Sequence, residues 1–134
     1  VIIINCAGVV GHVIVENRLV IGCLAGFHQF VKICLNAMFG GMAKLVQDIP
    51  PYVIADCQPA RVIGLNSVGL SRAGISEEVR RSLKQAFRII YRSGFSLSRA
   101  IEEMEMQLDS SVEIENLLRF LRNADRGIMR TRRD

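Results

Sequence analysis

From Ile3 onward the first half of the chain repeats every six residues, and few folds accept that period. The leading positions are Ile3, Val9, Val15, Ile21, Phe27, Ile33, Phe39 and Leu45, all apolar. Four residues after each stand Ala7, Val13, Leu19, Ala25, Val31, Ala37, Ala43 and Ile49, all small or apolar. An amphipathic helix does not produce this, because six is not a multiple of 3.6 and Gly, Val and Ile are poor helix formers. A parallel β-helix does: three short strands make one triangular coil, coils stack through backbone hydrogen bonds, and the leading side chains fill the prism. Alternation with period two holds within each strand. Glycines such as Gly22 and Gly40 are expected at corners, where the backbone takes conformations that a Cβ makes costly. Eight hexads make fewer than three coils, and a stack needs both ends covered. Further coils are therefore expected upstream of the valine that opens the sequence.

The 134 residues, half of them hydrophobic, suffice for one ordinary domain or two very small ones. No apolar run approaches the roughly 18 residues that span a bilayer, and the opening "VIIINCAGVVGHVIVENRLV" lacks the basic start of a signal peptide. A cytoplasmic chain without a membrane span is expected. Cys6, Cys23, Cys34 and Cys57 stand at spacings of 17, 11 and 23 without a CxxC pair. That arrangement argues against a zinc site or a disulfide framework and for reduced structural thiols.

Charge divides the chain. Four of the 17 Lys and Arg and three of the 13 Asp and Glu precede Arg72. The reading is therefore coils over residues 1–50, an irregular connection over 51–74 in the stretch around the three prolines Pro50, Pro51 and Pro59, and a helical domain over 75–134. In that domain Ser76 caps a helix that Gly94 closes, with Glu77 and Glu78 at its positive end. Ile75, Val79, Leu83, Ala86, Phe87 and Ile90 form its apolar stripe. A second helix follows Ser96 from Leu97 to Leu108, burying Leu97, Ile101, Met104 and Leu108. A third runs from Val112 to Ala124, with Ser110 and Glu113 spaced as a capping box. On the first helix Arg80, Lys84, Arg88 and Arg92 recur every four residues. Such a cationic stripe is either a solvated face or a landing site for an acidic partner. Nucleic acid is not the expected partner: the eight aromatic residues do not interleave with the basic stripe and no binding motif is present.

The segments "AGFHQFVKI", "AMFGGMAKLVQDIPPYVIAD", "GLNSVGLSRAGIS", "AFRIIYRSGFSL" and "RGIMR" together resemble the C-terminal half of the acyl-carrier-protein-dependent UDP-N-acetylglucosamine O-acyltransferases, which begin lipid A synthesis. The resemblance covers essentially the whole chain. It implies a mixed fold, a left-handed parallel β-helix of hexapeptide repeats followed by a C-terminal three-helix bundle, assembled as a homotrimer with active sites between subunits. It also implies transfer of a 3-hydroxyacyl group from acyl carrier protein to the sugar 3-hydroxyl of UDP-N-acetylglucosamine, with no cofactor and no metal. The family's general-base histidine lies one coil before "GVVGHV", ahead of the first residue here. By resemblance Gly11 supplies the oxyanion donor, His12 is the histidine beside it, and His28 and Gln29 of "HQF" contact substrate. The 16 residues between His12 and His28 approximate one 18-residue coil, so the two histidines should be neighbours on adjacent coils. Asn66 and Arg72 match nucleotide contacts, Arg72 suiting a diphosphate as a fork-shaped donor. Gly41 matches the position that limits acyl-chain depth, which leaves room for a long chain. The cationic stripe would receive the carrier.

Some positions depart from the family pattern. Cys23, Cys34 and Cys57 stand where glycine is expected, at a cost of about 1 kcal/mol each wherever φ is positive. Val68 and Ala73 replace an acidic and a basic residue near the nucleotide. Two other readings compete: a noncatalytic carrier-binding or scaffold fragment, and a hexapeptide acyltransferase with another sugar acceptor.

Overall fold

The computed structural model describes residues 1–124 and 127–131. Eight two-residue strands follow one another at the hexad period: β1 (Ile2–Ile3), β2 (Gly8–Val9), β3 (Ile14–Val15), β4 (Val20–Ile21), β5 (Gly26–Phe27), β6 (Lys32–Ile33), β7 (Met38–Phe39) and β8 (Lys44–Leu45). All pair in parallel, and the register is uniform: Ile2 meets Val20, Gly8 meets Gly26, Ile14 meets Lys32, Val20 meets Met38 and Gly26 meets Lys44. Each partner is thus 18 residues on, one turn of a β-solenoid of about three turns. Its three faces are the sheets β1–β4–β7, β2–β5–β8 and β3–β6.

The hexad reading of the core holds. Ile21, Phe27, Ile33, Phe39 and Leu45, with Leu19, Ala25, Val31, Ala37, Ala43 and Ile49, are all buried in one cluster. At the lower end Ile3 and Val9 are exposed. The corners differ from the glycine expectation. Cys6, His12, Arg18, Leu24, Phe30, Asn36 and Met42 all have φ between 56° and 66°, one every six residues, and none is glycine. Left-handed backbone costs such residues about 1–2 kcal/mol each; the ladder on both sides of each corner holds them there. Gly22 and Gly40 lie outside the left-handed region and are required by close approach. A Cβ on Gly22 would lie 2.7 Å from backbone atoms of Phe39, Gly40 and Gly41, and one on Gly40 would strike the Asp56 carboxylate. Of the three cysteines at expected glycine positions, only Cys57, at φ 80°, carries positive-φ strain.

The irregular connection expected over 51–74 is ordered. β9 (Val53–Asp56) adds to β7 in parallel and turns back into the antiparallel β10 (Arg61–Leu65), extending the first sheet to five strands. A six-residue helix α1 (Ser67–Arg72) follows. The prolines do not break these strands, because Pro50 and Pro51 precede β9 and Pro59 lies between β9 and β10. Asn66 explains α1. Its Oδ1 accepts from Gly69 N–H at 3.1 Å as the N-cap, and its Nδ2 donates to the Asn36 carbonyl at 2.9 Å. Asn66→Ala removes a cap and leaves a buried corner carbonyl unpaired, so a loss of about 2 kcal/mol is expected in urea unfolding.

Three longer helices complete the fold: α2 (Glu77–Arg92), α3 (Leu97–Gln107) and α4 (Val112–Arg122). Ser76 and Ser96 cap as read, and Gly94 takes φ 69° beyond the end of α2. The cap of α4 is Ser111 rather than Ser110, whose hydroxyl bonds Glu115 instead. α2 buries Leu83, Ala86 and Ile89, the last missing from the predicted stripe. With α1, which precedes the helical domain expected over 75–134, the described residues hold four helices. Beyond α4 the described residues return to the solenoid: Ile128 bridges Asp48, Thr131 bridges Val62, and Met129 is buried in the solenoid core. No helix of the described residues is long and apolar enough to cross a membrane.

Candidate functional site

The solenoid has three corner columns: residues 5–6, 23–24 and 41–42; residues 11–12 and 29–30; residues 17–18 and 35–36. Gly11, His12 and Gln29 lie in the second, and His28 immediately precedes it. All four are exposed. His12 and His28 thus lie at one corner on adjacent coils, as their spacing predicts, but the ring that touches His12 is not that of His28. Since the register offset is 18, the partner of His12 is Phe30, and their rings stack at 5.3 Å between centroids with an interplanar angle of 3°. His28 is in line with Val10. Its Nδ1 lies 3.2 Å from the Gln29 carbonyl; a proton there donates to that oxygen and leaves Nε2 an acceptor. Among the described residues nothing accepts from the Gly11 N–H, so that donor is open to a ligand, and a Cβ on Gly11 would meet nothing within 4 Å.

An open groove of about 400 Å³ runs over the β2–β5–β8 face from this corner. Gly8, Val10, Gly26, His28, Lys44 and Val46 line it. Its far side is the first corner column, which contains Gly41. A Cβ on Gly41 would lie 3.2 Å from the Cys23 carbonyl, so two coils approach closely there. The face is apolar between a histidine-bearing corner and a glycine-bearing one.

Asn66 and Arg72 are elsewhere. Asn66 is buried with both ends of its amide engaged, one of them to Asn36 on the third corner column. Arg72 is exposed at the end of α1. Within one chain Asn66 and the His28 corner belong to different edges of the prism. The cationic stripe is also modified: Lys84, Arg88 and Arg92 are exposed, but Arg80 is partly buried, with its Nε enclosed and without a hydrogen-bond partner among the described residues.

A second cavity, about 200 Å³, lies between the β3–β6 face and α4. Its polar groups are largely committed to each other. Glu16 accepts from Leu35 N–H, Lys32 Nζ donates to the Asn123 carbonyl, and Arg119 donates to Asn116. Cys34 forms part of its wall; burial pushes that thiol up to about 12, with Glu16 and Asp48 adding to the effect. The other cysteines are exposed and free. Among the described residues no cluster of His, Cys, Asp or Glu could hold a metal. Phe30 and the capping role of Asn66 escaped the sequence reading; the 18-residue offset was the available signal for Phe30.

The sequence model of the second domain of UDP-N-acetylglucosamine O-acyltransferase matches residues 48–129. The chain is 36% identical over 129 residues to the acyl-[acyl-carrier-protein]–UDP-N-acetylglucosamine O-acyltransferase of Anaeromyxobacter sp. strain K, covering 96% of this chain and 50% of that protein. The corresponding protein of Thiobacillus denitrificans is 40% identical over 126 residues, covering 94% and 49%. The solved structure of LpxA from Acinetobacter baumannii superposes with a TM-score of 0.88 at 34% identity, covering 92% of this chain and 48% of that one. The chain thus spans about half the length of the relatives it matches. With a model match over most of its length and relatives above 30% identity along nearly all of it, the chain belongs to the UDP-N-acetylglucosamine O-acyltransferase family.

Proposed function

We propose that these residues form the C-terminal half of an enzyme that moves a 3-hydroxyacyl group from acyl carrier protein to the 3-hydroxyl of UDP-N-acetylglucosamine, the first step of lipid A biosynthesis. The sugar hydroxyl loses its proton to a general base and attacks the thioester carbonyl; the carrier's thiolate leaves. In this reading the Gly11 N–H stabilises the oxyanion. His12, His28 and Gln29 hold the sugar, and the base comes from a preceding coil. The acyl chain lies in the apolar groove toward Gly41. Arg72 binds the diphosphate, and Asn66 serves by seating α1, hence Arg72. Lys84, Arg88 and Arg92 receive the acidic carrier.

The observation that carries this reading is the open Gly11 donor beside exposed His12 and His28, at the edge of an apolar groove. The placement of Asn66, the cap of α1, at a different corner supports a homotrimer, because a three-fold arrangement of prisms sets one edge of a subunit against a different edge of its neighbour.

A chimera joining the N-terminal half of the Acinetobacter baumannii relative to this chain tests it. Transfer to UDP-N-acetylglucosamine from long-chain 3-hydroxyacyl carrier is expected, with His28→Ala lowering kcat/KM at least about 100-fold. An assembled chimera that bound carrier but transferred nothing would leave the scaffold reading in its place. Acceptance of only short chains would remove the role given to Gly41.

A further inference from the structure

Phe30 is a large apolar residue, 51% exposed, in the left-handed region at φ 66°. Leu24 and Met42 are likewise exposed apolar residues at left-handed corners, and Phe30 differs from them in carrying a ring. Neither core burial nor backbone preference accounts for phenylalanine at this corner, since the corresponding positions of the other columns hold Cys6, Leu24, Met42, Arg18 and Asn36. Its ring is instead laid parallel to that of His12, one coil away. The 18-residue register stacks the two positions, and their shared left-handed backbone, at φ 61° for His12, sends both side chains off the prism in the same way.

We propose that Phe30 is a positioning residue for His12. This rests on the acyltransferase reading of the corner and assigns it a part that the histidines alone do not supply. An imidazole on an exposed corner turns freely, because its χ2 well is broad. A parallel aromatic neighbour covers one face of the ring and opposes rotation out of the stacking plane. The ring nitrogens lie on the uncovered edge, so His12 is held with its hydrogen-bonding edge open before substrate arrives. The hydrogen-bonding geometry around the attacking hydroxyl is then set in advance, which lowers the barrier of the bound complex rather than its dissociation constant.

Two measurements test this. In the NMR spectrum of this chain the His12 ring protons should lie upfield of those of His28 through the ring current of Phe30, and Phe30→Leu should abolish the difference. In the chimera described above Phe30→Leu should lower kcat about tenfold while KM for the sugar nucleotide changes less than about twofold, and Phe30→Tyr should restore kcat. Thermal unfolding identifies variants that have lost the fold; Phe30→Met then replaces Phe30→Leu as the ringless variant. His12 protons that do not respond to loss of the ring, or an unchanged kcat in folded ringless variants, would overturn the proposal. A wild-type chimera without transfer overturns the acyltransferase reading instead, and the NMR comparison still decides whether Phe30 orders His12.

Discussion

Replacing Phe27 by alanine is expected to remove about 3–5 kcal/mol of stability, the full range for a large aromatic deleted from a core. Phe27 is 1% exposed at the centre of the prism and packs edge-on against Phe39, with centroids 5.4 Å apart and an interplanar angle of 84°. Most cores recover part of such a loss by collapsing into the cavity. This one is constrained. Gly26 and Phe27 are tied by parallel ladders to Gly8 and Val9 below and to Lys44 and Leu45 above, so inward movement of one wall would break register with two coils. Domains of this size are stable by about 5–15 kcal/mol, which makes this one residue a large share of the total. The check is urea unfolding of Phe27→Ala beside Val46→Ala, which lies on the outer side of the same sheet. The first midpoint should fall sharply and the second barely move. A Phe27→Ala loss below about 1 kcal/mol would mean that the prism is not packed through its centre.

The solenoid was legible because every coil demands the same side chains at the same positions, so Ile21, Phe27 and Ile33 announce one another. Its corners were not. Glycine is the local preference for left-handed backbone, but stacking on both sides of each corner outweighs a cost of about 1–2 kcal/mol, and Arg18, Leu24 and Asn36 occupy such sites. The hairpin of β9 and β10 was hidden by its prolines, although "YVIAD" and "RVIGL" show strand composition once those prolines are placed outside the pairing. α1 could not be read from propensity at all, since six residues including Gly69 hold only through the Asn66 cap and its bond to Asn36. At the site, residue types located the His12 and His28 corner, while the exact period decided which ring touches which. Sixteen residues approximate a coil, but eighteen is the coil.

Raising the pH should destabilise the protein beginning near pH 9, through two groups buried where the solenoid meets the helices. Burial pushes the Cys34 thiol from 9.0 to about 12 and the Tyr52 phenol from 10.0 to about 12. Both are acids whose folded pKa is raised, so the folded state keeps its protons where the unfolded chain has released them. Their contribution is complete below the unfolded pKa and is lost as pH rises toward 12. At about 1.4 kcal/mol per unit per group, the loss by pH 11 is roughly 3 kcal/mol from Cys34 and 1 kcal/mol from Tyr52. Among the described residues the Tyr52 hydroxyl has no hydrogen-bond partner, so Tyr52→Phe should be neutral or stabilising at pH 7 and should flatten the alkaline slope above pH 10. Cys34→Ala should flatten it from pH 9. Urea unfolding of the wild type and both variants between pH 8 and 11 measures this directly. A wild-type curve no steeper than that of the double variant would mean that neither group is desolvated in the folded protein, and that the junction holding α4 against the solenoid is open to water.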